Sequence, residues 1–290
     1  MIMNAAIRFS SPFFYSSSPL FALLDMKTWI LLGALLAGGT LGRQHSFISD
    51  QCGSHPAPSC SLSINITSPD SCCMETNAGL FVLSQFWDVY AGFEDRWTIH
   101  GLWNNFCNYT FCNDCDDQRA YTNITSILIS RQAYKLLQDM NNNWPNPAGH
   151  VDEFWSHEWN KHGVCMSTFA PRCYTGQDVF QGMIDFYNTT INLSHKYDIY
   201  KALERHGIVP GDSYTTALIQ KVIEKEFGMI PDLRCNDKGH LEETWIYFHM
   251  KGPVKRMDLV PAHNANATNC NKTLVYPTKY PNDDLLDREV

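Results

Sequence analysis

Basic residues are scarce in this 290-residue chain: 22 Lys and Arg stand against 30 Asp and Glu, a formal charge of −8. A protein that coats nucleic acid with a carpet of cations is excluded, so any attraction for a polyanion must be local to a cleft. Long apolar runs are also missing. The run at residues 29–37 is far below the ~20 residues of a membrane helix, and nothing comparable follows it. No internal repeat is visible, which excludes a solenoid, and no Pro/Gly/Ser linker interrupts residues 79–261. A hydrophobic content of 44% excludes disorder. The zinc-protease pattern H-E-x-x-H does not occur.

Secretory features are present. From Met26 the chain reads MKTWILLGALLAGGTLG, a lysine, an apolar stretch and then small residues, the pattern of a signal peptide. The expected division is residues 1–45 as extension and signal (the signal at 26–45), 46–280 as one catalytic domain and 281–290 as a tail. Translation is expected to start at Met26, because a signal normally opens a protein. Residues 1–45 hold Arg8, Lys27 and Arg43 against Asp25, so the remainder is more acidic than the whole, at −10. All 11 cysteines lie beyond the signal and read as five disulfides with one left over. Seven sequons, at Asn65, Asn108, Asn123, Asn188, Asn192, Asn266 and Asn271, fit the same compartment. The expected location is outside the cell, with the vacuole as the alternative.

Residues 79–87 read as a buried strand and 241–252 as an alternating one. Helices are expected over 129–140; over 178–193, capped by Asp178; over 194–207, from Ser194 to a stop at Gly207; and over 213–228, from Ser213 to Gly228. Helices in the middle with strands at both ends predict an α+β fold.

Two histidine segments carry the chemistry. In WTIHGLW (97–103), His100 follows a β-prone run and precedes Gly101, which permits close backbone approach at that point. In SHEWNKHG (156–163), a helix at about 100° per residue places His157, Lys161, Glu158 and His162 on one face. Trp159 then anchors the opposite side, and Gly163 is expected to supply a left-handed exit. The histidines are five apart with a lysine between them, which opposes a metal site. Cys107, Cys112 and Cys115 mimic three iron–sulfur ligands, but the sequon at Asn108 and the signal favour disulfides. Several histidines, a carboxylate and a lysine without a metal suit cleavage of RNA by its own 2′-hydroxyl. One imidazole takes the 2′ proton, another protonates the leaving 5′ oxygen, and cations hold the phosphorane. Trp103 is placed to stack a base.

WTIHGLW and FWSHEWNKHGVC resemble the two active-site segments of the ribonuclease T2 family, its secreted fungal members in particular. The resemblance covers roughly residues 50–278, including Cys52, Cys60, Cys72 and Cys73, the turn before the second segment and the terminal YPTK. It implies a central antiparallel sheet flanked by helices in a single disulfide-stapled domain. It further implies a secreted endoribonuclease of low base specificity acting on single-stranded RNA, through a 2′,3′-cyclic phosphate to 3′-phosphate ends, as a monomer without metal or cofactor. By the same resemblance His162 is the general base and His100 the general acid; Glu158 and Lys161 stabilise the phosphorane, and His157 binds phosphate. Trp103 stacks the base on the 5′ side of the cut, and Phe154 flanks the other base.

The implied bridges are Cys52 with Cys73, Cys60 with Cys107, Cys72 with Cys173, Cys115 with Cys165 and Cys235 with Cys270. Residue types alone leave open Cys112 pairing in place of Cys115. Fungal relatives often follow GLW with Pro-Asp, whose acid helps recognise adenine; here Asn104-Asn105 stands instead, and Asn105 becomes the base-binding candidate. Two other readings are a non-catalytic or toxin-like glycoprotein on the same fold and a metal-dependent hydrolase. The intact His100, Glu158, Lys161 and His162 set argues against the first, and the histidine spacing against the second.

Overall fold

Strand β1 (Leu80–Phe86) alternates two apolar faces, one side burying Phe81 and Leu83 and the other Leu80 and Val82. In this computed structural model, which describes residues 52–53, 56–61, 70–76, 78–262 and 268–280, it is the centre of an antiparallel sheet. The expected extension and signal at 1–45, the tail at 281–290, Asn65 and Asn266 lie outside the described residues. β1 pairs on one edge with β2 (Thr98–Asn105). Helices α1 (Ile124–Ser130), α2 (Tyr134–Asn143), α3 (Val151–Lys161), α4 (Gln181–Lys196) and α5 (Ile199–Glu204) follow. Strand β3 (Ser213–Thr215) then leads into helix α6 (Thr216–Phe227). Strands β4 (Asp232–Cys235), β5 (Leu241–Met250), β6 (Leu259–Pro261) and β7 (Thr273–Val275) complete the order. β5 fills the other edge of β1 and carries β4 and β6 on its far side, while β3 and β7 form a separate pair. This is the expected α+β arrangement, with helices packed on one face of an antiparallel sheet.

Helix α4 crosses that face over β1 and β2, and α2 packs on α4. Between the helices and the sheet lie the fully buried Trp87, Trp144, Trp155, Trp159, Phe186 and Tyr187. Buried aromatics with a polar end need a partner for it, and each here has one. The indole N–H of Trp155 donates to the Trp144 carbonyl (2.9 Å), that of Trp159 to the Arg119 carbonyl (2.7 Å), and the Tyr187 hydroxyl to the Trp155 carbonyl (2.7 Å).

Several boundaries differ from the sequence expectation. The helix expected over 129–140 is two, because Gln132 adopts a left-handed φ of 57° and the Ala133 N–H turns back to the Leu128 carbonyl (2.9 Å), ending α1. Asp178 does not cap α4. Its carboxylate accepts from the Phe180 N–H (3.0 Å) and pairs with Arg131, so the helix starts later, at Gln181. Ser194 lies inside α4 and donates to the Ile191 carbonyl (2.8 Å), while Asp198 caps α5 through the Lys201 N–H (3.0 Å). Ser213 opens a strand instead of a helix, and Thr215 caps α6. Gly207 and Gly228 stop their segments at φ 72° and 74°, as expected.

The five bridges are those implied by the family resemblance: Cys52–Cys73, Cys60–Cys107, Cys72–Cys173, Cys115–Cys165 and Cys235–Cys270. Cys112 alone is free, and it is buried. The iron–sulfur pattern is ruled out on bonding grounds, since Cys107 and Cys115 are each consumed in a disulfide. The five described sequon asparagines, Asn108, Asn123, Asn188, Asn192 and Asn271, are all exposed. Among the described residues no helix is long and apolar enough to cross a membrane.

Each bridge restricts the unfolded chain and is typically worth about 2–4 kcal/mol. Thermal melts with and without reductant are therefore expected to differ by more than about 10 °C, and thiol titration should find one reactive group only after denaturation. An unchanged melting point in fully reduced protein would contradict this.

Candidate active site

The site begins with an irregularity in β2. Pairing with β1 steps from Ser84 opposite Gly101 to Gln85 opposite Ile99, so His100 is the extra residue of a β-bulge. Bulges re-aim side chains. Here Ile99 and Leu102 stay in the core while His100, Gly101 and Trp103 serve the opposite side. The bulge is held from behind by the Trp144 indole N–H, which donates to the His100 carbonyl (2.8 Å), and the Phe86 ring stacks on the imidazole at 4.1 Å.

Helix α3 supplies the facing wall. Asp152 and Glu153 occupy its first turn, favourable for the helix dipole, and Trp155 and Trp159 bury one side. The opposite side presents His157, Glu158 and Lys161, with His162 as the C-terminal cap residue. The expected left-handed exit at Gly163 is not observed; the residue opens a 3-10 turn. Its need for glycine is steric, because a Cβ there would overlap the Trp159 ring.

His100, Trp103, His157, Glu158, Lys161 and His162 line one open cleft of about 390 Å³, together with Phe111, Asn113 and Trp245. Glu158 is fully buried. Its Oε2 accepts from the Trp103 indole N–H (2.8 Å), and its Oε1 lies 3.8 Å from His100 Nε2 without a hydrogen bond among the described residues. Gly101 is required by this contact, since a Cβ would overlap both Glu158 Oε2 and Trp103 Nε1. Burial raises the Glu158 carboxyl to about 7, against the opposing pull of His100, Trp103 and Lys161. His162 is 8% exposed, and its Nδ1 has no partner among the described residues. Burial first, then the charges of Lys161, His157 and His100, lower it to about 3. His157 is lowered for similar reasons, burial first and then Lys161 and His100.

Two of the expected base-binding residues stand apart from the cleft lining. Asn105 is buried at the end of β2, bridged to Phe111, with its Oδ1 unpartnered among the described residues, and is not part of the cleft lining. Phe154 packs against the core with its ring 5.9 Å from that of His100. Sequence reasoning missed Phe111, Asn113, Trp245 and Glu243. Glu243 Oε1 lies 2.6 Å from His100 Nδ1, and the Ser84 hydroxyl donates to the same oxygen. The alternation of β5 places residues 243 and 245 on one face, but nothing local tells which strand they meet. Phe111 and Asn113 sit in a loop tied to the 3-10 turn after α3 by Cys115–Cys165 and to the end of α3 by the Asp114 N–H on the Lys161 carbonyl (3.0 Å).

The family profile of the ribonuclease T2 family matches residues 57–272. The chain belongs to that family. It is 34% identical over 252 residues to ribonuclease Rh of Rhizopus niveus, covering 86% of this chain and 99% of that protein. With ribonuclease T2 of Aspergillus oryzae it shares 37% over 207 residues, 70% of this chain and 75% of the relative. The ribonuclease T2-like protein of Emericella nidulans is 36% identical over 221 residues, 74% of this chain, which spans only 53% of that longer relative. The crystal structure of Actibind, a T2 ribonuclease, superposes with a TM-score of 0.73 at 35% identity, covering 79% of this chain and 98% of that one. RNase NT, crystallised with 5′-AMP, has the same fold at 23% identity and a TM-score of 0.54, over 70% of this chain and all of the other.

Because the folded state raises the Glu158 carboxyl from 4.5 to about 7, it favours the protonated form. Its contribution to stability is complete below pH 4.5 and is lost as pH rises through about 7. Glu158→Gln keeps an acceptor for Trp103 and removes the ionisation. We expect the variant to be up to about 3 kcal/mol more stable than the parent at pH 8, with the gap closing near pH 4. Denaturant titrations at the two pH values check this; a gap independent of pH would contradict it.

Proposed function

We propose that this chain is a secreted, glycosylated endoribonuclease that cleaves single-stranded RNA with low base specificity by metal-free transesterification. The observation that carries the reading is the asymmetry of the two histidines in one cleft. His162 is buried and driven toward its neutral form, the state of a general base, while His100 is held at Nδ1 by the Glu243 carboxylate, 2.6 Å away, with its Nε2 toward the Glu158 carboxyl, 3.8 Å away. His162 takes the proton of the 2′-hydroxyl, O2′ attacks phosphorus, the P–O5′ bond breaks, and His100 Nε2–H protonates the departing O5′. The product is a 2′,3′-cyclic phosphate, later opened by water to a 3′-phosphate.

Lys161 supplies a fixed positive charge to the crowded phosphorane, and His157, with 55% of its side chain exposed, is placed at the cleft rim to bind phosphate. Glu158 in its protonated form has one O–H to give, and its buried Oε1, without a hydrogen-bond partner among the described residues, lies 3.8 Å from His100 Nε2. Trp103 stacks one base, Phe154, beside the His100 ring at 5.9 Å, flanks the other, and Asn105, two residues after Trp103 in place of the usual acid, bears on base preference. Requirement for the 2′-hydroxyl excludes DNA as substrate. The protein acts as a monomer, outside the cell or in a vacuole, and its glycans are carried on sequons among the seven.

A base that remains neutral down to about pH 3 keeps the enzyme active in acid, so the acid limb of kcat/KM is expected near pH 3. With the dinucleoside ApU at pH 4.5 in excess EDTA, the expected products are adenosine 2′,3′-cyclic phosphate and uridine, with a loss of about 10³-fold or more in His162→Phe. No cleavage by folded protein would favour the binding-glycoprotein reading, and cleavage only with added metal would favour a metal-dependent hydrolase.

A further inference from the structure

We propose that Glu243, braced by Ser84, is a positioning residue that keeps the proton of neutral His100 on Nδ1 and turns Nε2 to the reacting phosphate. The inference rests on the ribonuclease reading for its consequence, though not for its geometry. Glu243 belongs to neither histidine motif and comes from the strand β5, on the far edge of β1 from β2.

Glu243 Oε1 is 2.6 Å from His100 Nδ1 and accepts also from the Ser84 hydroxyl. All three residues meet through strand register: Ser84 of β1 stands opposite Gly101 of β2, and Phe86 opposite Glu243 of β5. Two further constraints act on the same ring. Phe86 stacks on its plane with 18° between the rings, and the Trp144 indole fixes the bulged backbone through the His100 carbonyl. With Nδ1 engaged, Nε2 is the nitrogen that faces Glu158 Oε1, at 3.8 Å, and the cleft.

An ionised carboxylate has no proton to donate, so the nitrogen bonded to it must be the donor. Burial pushes the Glu243 carboxyl up, but the hydrogen bond and charge of His100 and the Ser84 hydroxyl outweigh it and hold it below the ordinary carboxylate value. Among the described residues, the other charged groups around His100 are Glu158, His157 and Lys161 of α3 and the cap residue His162; Arg234 of β4 lies behind, over the Trp245 ring at 4.1 Å. None of these is hydrogen-bonded to Nδ1.

The tautomer matters because both halves of the reaction use the same nitrogen. In the first, His100 gives its Nε2 proton to O5′ as the P–O5′ bond breaks, and the neutral ring keeps its remaining proton on Nδ1. In the second, the Nε2 lone pair takes a proton from the attacking water, the P–O2′ bond breaks, and His162 returns to O2′ the proton it took. Both rings end as they began. A neutral His100 protonated on Nε2 could not accept that proton.

The test is nitrogen NMR of His100 in the wild-type protein with steady-state kinetics of Glu243→Gln and Ser84→Ala. In its neutral form the wild-type ring is expected to carry its proton on Nδ1. In Glu243→Gln the two tautomers mix, kcat for ApU cleavage and for hydrolysis of the cyclic phosphate falls by about 10- to 100-fold, and KM changes little. Ser84→Ala gives a smaller loss with the same sign. A neutral wild-type ring in the Nε2–H form overturns the proposal, as does a Glu243→Gln variant that keeps both the Nδ1–H ring and the wild-type kcat. Should Glu243→Gln not fold, the wild-type spectrum still decides. An Nδ1–H ring in a protein that does not cleave RNA would sink the ribonuclease reading and leave the positioning role standing.

Discussion

The buried carboxylate of Glu158 is the constraint on which the rest of the site depends. It lies where the α3 helix meets β2, and it fits only because residue 101 has no side chain. Trp103 is locked by its hydrogen bond to Glu158, His100 is placed at the edge of Trp103 (ring centroids 4.8 Å apart), and His162 packs against the other part of the indole at 5.4 Å. Removing Glu158 from water makes its charge expensive and its neighbours' charges consequential. The same burial that raises this carboxyl lowers His162, so one packing decision prepares an acid that can be neutral and a base that stays neutral.

That arrangement also resolves the problem set by the acidic composition. A chain of net charge −8 offers a polyanion no broad attraction, yet His100, His157, Lys161 and His162 converge on one cleft. The cation that attracts the polyanion is Lys161, its charge exerted locally in a partly desolvated cleft where a charge acts more strongly than on an open surface. The disulfide Cys115–Cys165 keeps the loop carrying Phe111 and Asn113 against the end of α3, so the cleft wall does not rely on loop packing alone.

Much of this was legible in residue patterns. The helical phase of residues 156–162 put the ionisable groups on one side and Trp159 on the other, and both placements are observed. Crowding at Gly101 was readable from its position beside His100, although backbone was the expected neighbour and the side chains of Glu158 and Trp103 are the observed ones. The bridge pairing followed from family resemblance, since spacing alone does not choose among pairings. Glu243 was invisible because its meeting with His100 joins residues 143 apart through a third strand, and its register is a tertiary property. Helix starts at Asp178, Ser194 and Ser213 were misplaced for a related reason. Each has a capping residue type, but Asp178 is engaged by Arg131, Ser194 is absorbed by a longer helix, and Ser213 is taken up by strand pairing with Val275.

The central claim is that burial at one contact sets the protonation of both Glu158 and His162. Titration of the free protein, with carbon-13 in the glutamate carboxyls and nitrogen-15 in the histidine rings, measures it directly. The account predicts that at pH 5 both groups are neutral, Glu158 losing its proton only near pH 7 and His162 gaining one only near pH 3. A Glu158 that titrates near 4.5 together with a His162 that titrates near 6.5 would contradict it.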